Sequence, residues 1–170
     1  MIAAYEAVPL GSKLYDELVG ILRQSFKDAC VLYIDRIINP DLEAAFLKRK
    51  GAFAELGFGD EVRLFHGTTA AAIMSICNEG YKSSYNKVAA YGHGTYFSSA
   101  GSYSKNYAKV TGKGESFMLV NRVLLGRHTP SGVGGGYLGD SGGDGRTIFV
   151  TKHDDAALPE YVICFHKDAK

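Results

Sequence analysis

The chain is divided into many short apolar segments separated by turns, and these segments do not alternate regularly with helices. Short strands without a strand–helix repeat are typical of an antiparallel sheet, because parallel strands need crossover connections between them. We therefore predict an α+β domain built on a largely antiparallel sheet with a few flanking helices. Branched and aromatic residues place strands at 31–38, 62–65, 117–125, 147–151 and 161–165, and a turn with a brief strand at 91–99.

Local signals predict four helices. After Ser12, apolar residues recur at three- and four-residue steps, with polar residues on the rest of the wheel, as in an amphipathic helix. The asparagine, proline and aspartate at 39–41 supply a cap, a first-turn proline and an acidic second position for a helix over 40–50. Two shorter helices are expected farther along the chain, at 70–77 and 102–109.

A glycine-rich stretch lies between Gly126 and Arg146, where nine residues are glycine. It invites comparison with a phosphate-binding loop. However, it lacks the Gly-Lys-Ser/Thr ending of a P-loop, and no strand–turn–helix context with a following acidic residue supports a dinucleotide fingerprint. We therefore interpret the stretch as a flexible surface loop.

The size and charge of the chain limit the classes of protein to which it can belong. A length of 170 residues fits one domain, residues 1–170, that buries a core without disulfides or a structural metal. A net charge of +1 gives no basic field of the kind that grips nucleic acid or an anionic membrane. We therefore expect a single domain that contacts no membrane.

The cysteines and the N-terminus indicate a cellular location. Cys30, Cys77 and Cys164 form no C-x-x-C pair, which fits free thiols in a reducing compartment. No apolar run approaches the length of a membrane span, and the first residues lack the pattern of a signal peptide. We expect a soluble intracellular protein of the cytoplasm or nucleus, and a monomer.

Three segments place polar groups at strand ends and turns, where such groups can face a ligand. They read LFHGTT, YGHGTYFSSAGSYSKNY and LPEYVICF. Together with the earlier VLYIDRIINPDLEAAF, they resemble the poly(ADP-ribose) polymerase (PARP) family, the diphtheria-toxin-like branch of the ADP-ribosyltransferases. The resemblance extends from about Val31 to Phe165. It implies a split antiparallel sheet, NAD⁺ as co-substrate, a protein acceptor and no metal.

The first of these segments carries an NAD-binding motif of the family. By the resemblance, His66 holds the adenine ribose, and the backbone of Gly67 pairs with the nicotinamide carboxamide, with Thr68 next to them. A side chain at Gly67 would keep the backbone away from a planar ligand. For His66 an alternative is a half-buried histidine whose ring is satisfied by a neighbouring carbonyl.

The second segment supplies the contacts to the nicotinamide half of NAD⁺. In the family, the residue matching Tyr96 lies against the nicotinamide ribose, and those matching Ser104 and Tyr107 bond the carboxamide and stack on the pyridine ring. The spacing of Ser104 and Tyr107 puts both on one face of a helix. Stacking a cationic ring on a phenol is favourable by roughly 1 kcal/mol.

The third position of the family's catalytic triad is ambiguous. Polymerising members carry a glutamate there, which bonds a ribose hydroxyl and supports chain elongation. In LPEYVICF either Glu160 is that glutamate or Val162 occupies the site, as in mono-ADP-ribosylating members. The two residues point to the same face of a strand, so the choice is one of register. The flanking residues favour Val162.

The sequence therefore predicts a mono-ADP-ribosyltransferase that uses His66, Tyr96 and Val162. With Val162 in the site no side chain there deprotonates an acceptor, so a carboxylate acceptor that steadies the developing cation is favoured. The acceptor is expected on a protein, the enzyme itself included, rather than on a nucleic-acid end. A binding module without turnover, a polymerase that uses Glu160 and a toxin-type transferase are the alternatives. His153, Asp154 and Asp155 are expected in a solvated turn rather than at a metal.

Overall fold

The computed structural model of the chain describes residues 1–87 and 89–166. Its strands are β1 (Ala4–Ala7), β2 (Cys30–Ile38), β3 (Glu61–Gly67), β4 (Thr95–Ser98), β5 (Glu115–Leu124), β6 (Ser141–Gly143), β7 (Ile148–Thr151) and β8 (Ala157–His166). Its helices are α1 (Lys13–Arg23), α2 (Pro40–Glu55), α3 (Ala70–Glu79) and α4 (Gly101–Ser104). Three short 3₁₀ turns lie at Ser83–Tyr85, Lys105–Tyr107 and Asp154–Ala156.

The eight strands form one sheet in the order β1-β2-β8-β5-β3-β4-β7-β6, and the neighbouring strands pair antiparallel. The contact between β3 and β4 consists of a single register pair, Phe65 with Ser98. The sheet is therefore split at this point into a five-strand part and a three-strand part. The predicted α+β class with a largely antiparallel sheet is confirmed.

Two helices cover opposite faces of the five-strand part. On one face the buried side of α1, including Leu18 and Leu22, packs with Ile163 and Phe165 of β8. On the other face, Ile73 and other residues of α3 pack in a separate cluster with β3, β5 and β8. Strand β8 lies between β2 and β5, so nearly all of its side chains are buried. Such strands are typically apolar along their length, and in the LPEYVICF segment only Glu160 is charged.

The first helix follows its sequence signals closely. It begins at Lys13, and the Ser12 side chain accepts a hydrogen bond from the amide of Tyr15, as an N-cap does. Helix α2 also begins where predicted, with Asn39 as its cap, but it continues five residues past position 50, through Gly51 to Glu55. A single glycine costs a helix only about 1 kcal/mol, and Gly57, with a φ of +86°, follows the actual end.

The interpretation of the glycine-rich stretch as a flexible surface loop is wrong for part of its length. Ser141, Gly142 and Gly143 form β6, are buried, and pair with β7. The Ser141 hydroxyl donates to the Leu125 carbonyl over 2.7 Å. A three-residue strand made of serine and glycine carries no apolar pattern, so only its pairing with β7 reveals it.

The turn between β7 and β8 is held by tertiary contacts and is not simply solvated. His153 bonds Asp140 over 2.8 Å, and the Asp154 carboxylate accepts from the amide of Ser83 over 2.9 Å. Asp155 forms an ion pair with an α2 arginine. The three residues therefore tie this turn to three other parts of the chain. None of the helices in the described residues has the length and apolarity to span a membrane.

Candidate functional site

A cavity of about 450 Å³ opens where the sheet splits, between β3, β4, β7 and α4. It collects residues from five separate parts of the sequence, most of them aromatic or small. Its lining consists of His66, Gly67, Ala89, Ala90, Tyr91, Tyr96, Phe97, Tyr103, Ser104, Tyr107 and Ile148. The structure thus brings together His66, Gly67, Tyr96, Ser104 and Tyr107, as the sequence predicted.

His66 stands at the end of β3 with its ring fixed in orientation. Its Nδ1 atom lies 2.7 Å from the backbone oxygen of Tyr96. Because a carbonyl oxygen can only accept, Nδ1 carries the hydrogen, and Nε2 of the neutral ring keeps a lone pair. Tyr81 and Phe97 pack against the ring, with centroids 5.3 and 5.6 Å away. Burial lowers the pKa of His66 by more than the hydrogen bond to Tyr96 raises it, which favours that neutral ring.

Gly67 lies against α4 so closely that no side chain fits. A Cβ at this position would stand 1.9 Å from the Ser104 carbonyl oxygen and 3.2 Å from the Ala108 nitrogen. The glycine therefore allows the strand β3 and the short helix α4 to meet at the cavity. Gly67 is buried, and it lines the cavity beside the buried Ser104.

Tyr96 contributes to the cavity and also fixes one of its walls. Its hydroxyl accepts a hydrogen bond from the Tyr91 amide over 2.9 Å and donates to the Gly92 carbonyl over 2.7 Å. Burial raises the pKa of the Tyr96 phenol, so the hydroxyl stays protonated and able to donate. The loop that carries Ala89, Ala90 and Tyr91 into the lining is therefore attached to β4 by a side chain.

Two tyrosines form the outer wall. The hydroxyls of Tyr103 and Tyr107 are 3.1 Å apart, and their ring centroids are 5.5 Å apart at an angle of 48°. The helix predicted at 102–109 is shorter, since α4 ends at Ser104 and Tyr107 lies in the following 3₁₀ turn. Tyr107 keeps 54% of its surface exposed, which leaves its ring available for a planar ligand.

A second cavity of about 220 Å³ shares His66 with the first. Thr68 lines this second cavity, as do Tyr81, Lys82 and Asn86. A ligand with two ends can therefore lie across His66, with one end in each cavity. This arrangement suits a dinucleotide, whose two halves are joined by a linker.

The structure places neither Val162 nor Glu160 in these cavities. Val162 is buried, pairs with Asp35 of β2 and Leu119 of β5, and belongs to the core beside α3. The Glu160 carboxylate lies 3.5 Å from a guanidinium nitrogen of Arg63 and also approaches a second arginine. Both residues sit on β8 in the middle of the sheet, away from the split.

Ile148 is one of the cavity residues that the sequence analysis did not identify; Ala89, Ala90, Tyr91 and Phe97 are others. Ile148 is the first residue of β7, where it pairs with Ser98 of β4. Its amide donates to the Asp144 carboxylate over 2.8 Å, which also accepts from the amides of Arg146 and Thr147. The signal in the sequence is weak. It consists of an aspartate that caps the start of a short apolar strand.

A comparison with protein-family models matches residues 15–131 to the poly(ADP-ribose) polymerase catalytic domain. The match covers more than half of the chain and includes the cavity residues from His66 to Tyr107. The chain belongs to the PARP catalytic domain family. Because the match ends before β7 and β8, it does not bear on the third position of the triad.

Individual relatives of this PARP domain carry a range of names. Human protein mono-ADP-ribosyltransferase PARP14 is 31% identical over 175 residues, covering 90% of this chain and 10% of that protein. Human protein mono-ADP-ribosyltransferase PARP11 is 28% identical over 204 residues, covering 95% of this chain and 60% of that protein. A probable poly [ADP-ribose] polymerase of Dictyostelium discoideum is 30% identical over 151 residues, covering 81% of this chain and 44% of that protein. The chain thus spans between a tenth and three fifths of these relatives.

Proposed function

We propose that this PARP domain is a mono-ADP-ribosyltransferase, which cleaves the bond between nicotinamide and ribose in NAD⁺ and transfers ADP-ribose to a protein side chain. The observation that carries the proposal is the lining of the larger cavity, in which His66, Gly67, Tyr96, Ser104 and Tyr107 meet. None of its described lining residues carries a carboxylate. The names of the human relatives agree with single transfer.

The two cavities divide the binding of NAD⁺ between them. We place nicotinamide in the larger cavity, paired with the Gly67 backbone, bonded by Ser104 and stacked on Tyr107. The adenosine half then extends past His66 toward Thr68 in the smaller cavity. The lone pair on His66 Nε2 suits a ribose hydroxyl, because a hydroxyl can donate to it. The proposed NAD-binding residues are thus His66, Gly67, Thr68, Tyr96, Ser104 and Tyr107.

Transfer follows from this binding mode. When the glycosidic bond breaks, its electron pair leaves with nicotinamide, whose carboxamide is held by hydrogen bonds, and the ribose carbon becomes cationic. An acceptor nucleophile then forms a new bond to that carbon, and any proton that it carries is released to solvent. A carboxylate acceptor brings its own negative charge to the cation, which favours acidic side chains.

We assign the third position of the triad to Ile148 in place of Val162 or Glu160. Ile148 shares the cavity with His66 and Tyr96, whereas the β8 residues do not. An isoleucine neither bonds a ribose hydroxyl nor activates the hydroxyl of a bound chain end. The first transfer therefore proceeds, and elongation does not. A monomer that acts in the cytoplasm or nucleus remains our prediction from the sequence.

The experiment is incubation of the purified protein with labelled NAD⁺, followed by intact-mass spectrometry and gel electrophoresis, beside His66→Ala and Glu160→Gln. We expect single ADP-ribose additions, lost in His66→Ala and retained in Glu160→Gln. A ladder of additions that disappears with Glu160→Gln would identify a polymerase. Absence of NAD⁺ consumption by the wild type, even with a lysate supplying acceptors, would favour a binding module.

A further inference from the structure

The wall of the larger cavity between Ala89 and Gly94 has no strand or helix of its own, yet its backbone polar groups are bonded from two sides. On the inner side, Tyr96 bonds the Tyr91 amide and the Gly92 carbonyl. The Gly92 amide in turn donates to the Ala89 carbonyl over 3.0 Å. This inner side belongs to the site already described.

The outer side of this wall is bonded by the glycine-rich segment. The Gly134 amide donates to the Ala90 carbonyl over 2.7 Å. The Ser131 hydroxyl donates to the Tyr91 carbonyl over 3.4 Å. Finally, the Tyr137 hydroxyl donates to a third carbonyl of the wall, that of His93, over 2.7 Å. Three donors within residues 131–137 thus bond three backbone carbonyls within residues 90–93.

The Tyr137 side chain occupies a space that exists because neighbouring residues are glycines. A Cβ at Gly142 would lie 2.5 Å from its ring, and one at Gly94 would lie 2.7 Å from its hydroxyl oxygen. A Cβ at Gly92 would lie 3.4 Å from the ring. The ammonium of Lys152 stands 5.7 Å from the ring centroid on a further side. Glycines from two different segments therefore make the space that the Tyr137 ring occupies.

We propose that Tyr137 is a positioning residue for NAD⁺ binding, which holds the 89–94 wall at the distance from Tyr107 that the nicotinamide ring requires. This inference rests on the proposed function. Tyr137 does not line the cavity, so it acts through Ala89, Ala90 and Tyr91, which do. The glycine-rich segment, which carries no nucleotide-binding motif, thereby contributes to nucleotide binding as a support.

The test compares Tyr137→Phe with Tyr33→Phe, each of which removes one hydroxyl and keeps the ring. Tyr33 is the matched control because it is a tyrosine of β2 that lines neither cavity. We expect Tyr137→Phe to raise the KM for NAD⁺ and the Kd of a non-cleavable carba-NAD roughly 3- to 10-fold, as the loss of one hydrogen bond implies. The kcat should stay within about twofold, and Tyr33→Phe should change neither constant.

Hydrogen exchange of the backbone amides at 89–94, measured without nucleotide, tests directly whether Tyr137 stabilises this wall. It should become faster in Tyr137→Phe and in Gly142→Ala, where the new methyl displaces the ring, and should be unchanged in Tyr33→Phe. Unchanged exchange and an unchanged Kd in Tyr137→Phe would overturn the inference. If the wild type binds no carba-NAD, the proposed function fails, and the exchange rates still decide whether Tyr137 supports the wall.

Discussion

The carbonyl oxygen of Ser104 occupies the space that a Cβ on residue 67 would need, 1.9 Å from its ideal position. Strand β3 and helix α4 are therefore in backbone contact at the point where the sheet splits. Packing limits any movement of β3 and α4 away from each other, since Ser104 is buried and Phe65 of β3 pairs with Ser98 of β4. The shape of the cavity thus depends on Gly67, because any side chain there would overlap the Ser104 carbonyl.

Substituting Gly67 tests that dependence. Gly67→Ala should abolish measurable NAD⁺ binding, and should lower stability by about 1–3 kcal/mol, because the backbone of α4 must shift to admit the methyl group. The matched control is Gly20→Ala on helix α1, where nothing lies within 4 Å of the new Cβ. That change should stabilise the protein by about 0.5–1 kcal/mol and leave binding intact. Calorimetric titration with carba-NAD and thermal unfolding measure both effects, and tight binding by Gly67→Ala would contradict our placement of nicotinamide.

A bulky residue at position 148 tests the assignment of the third triad position. Ile148→Trp should weaken NAD⁺ binding at least about tenfold by filling the cavity, with little change in Tm because Ile148 is only partly buried. Val162→Ala should do the opposite, lowering stability by about 2 kcal/mol through a core void while the folded protein binds NAD⁺ normally. If Val162→Ala lost NAD⁺ affinity and Ile148→Trp kept it, β8 would have to supply the site.

The buried hydroxyl behind His66 should matter for stability more than for binding. The Tyr81 hydroxyl donates to the Asn121 side-chain oxygen over 2.5 Å, and both groups are buried. Tyr81→Phe leaves that oxygen without its donor, at a cost of about 1–3 kcal/mol, while the ring against His66 remains. Tyr5→Phe on β1, which removes a hydroxyl from an exposed side chain, should cost less. Urea titrations compare the two variants, and a larger loss in Tyr5→Phe would refute the ranking.

Acid should unfold the protein partly through Glu61. Its hydrogen bonds with Arg122, and secondarily with Lys50, lower the pKa of Glu61 to about 2. Because the folded pKa lies below the unfolded value, the contribution to stability is present above about pH 4.3 and is lost as the pH falls toward 2. Allowing for solvent screening, we expect about 1–2 kcal/mol. Urea unfolding at pH 6 and pH 3 should show a smaller pH dependence in Glu61→Gln than in the wild type. Glu6→Gln on β1, an exposed position, is the control, and equal pH dependence in all three proteins would show that Glu61 contributes nothing.

Features encoded by a few neighbouring residues could be read from the sequence. The cap at Asn39 and the amphipathic helix after Ser12 form as predicted, because each depends only on residues of its own helix. The residues from His66 to Tyr107 in the cavity could be found for a similar reason, since they belong to two short motifs at strand ends and turns. Their proximity was implied by the resemblance, and the structure shows that β3, β4 and α4 meet there.

Features that depend on contacts with another segment of the chain could not be read in this way. Strand β6 consists of serine and glycine, so its burial follows from β7 and not from its own side chains. The bracing of the cavity wall by Tyr137 also joins residues 44 positions apart, through a hydroxyl and a carbonyl. Carbonyls are present at every residue, and no sequence pattern marks the one that is used.

The sequence by itself determined the α+β class, the antiparallel character of the sheet and the motif residues His66, Gly67 and Tyr96, because periodicity and short motifs act over neighbouring residues. The tertiary structure alone decided which strand, β7 or β8, borders the cavity. Both β7 and β8 are apolar strands near the end of the chain, and either can be aligned with a motif. Only long-range pairing places β8 between β2 and β5 and β7 beside β4, so that Ile148, not Val162, faces the cavity.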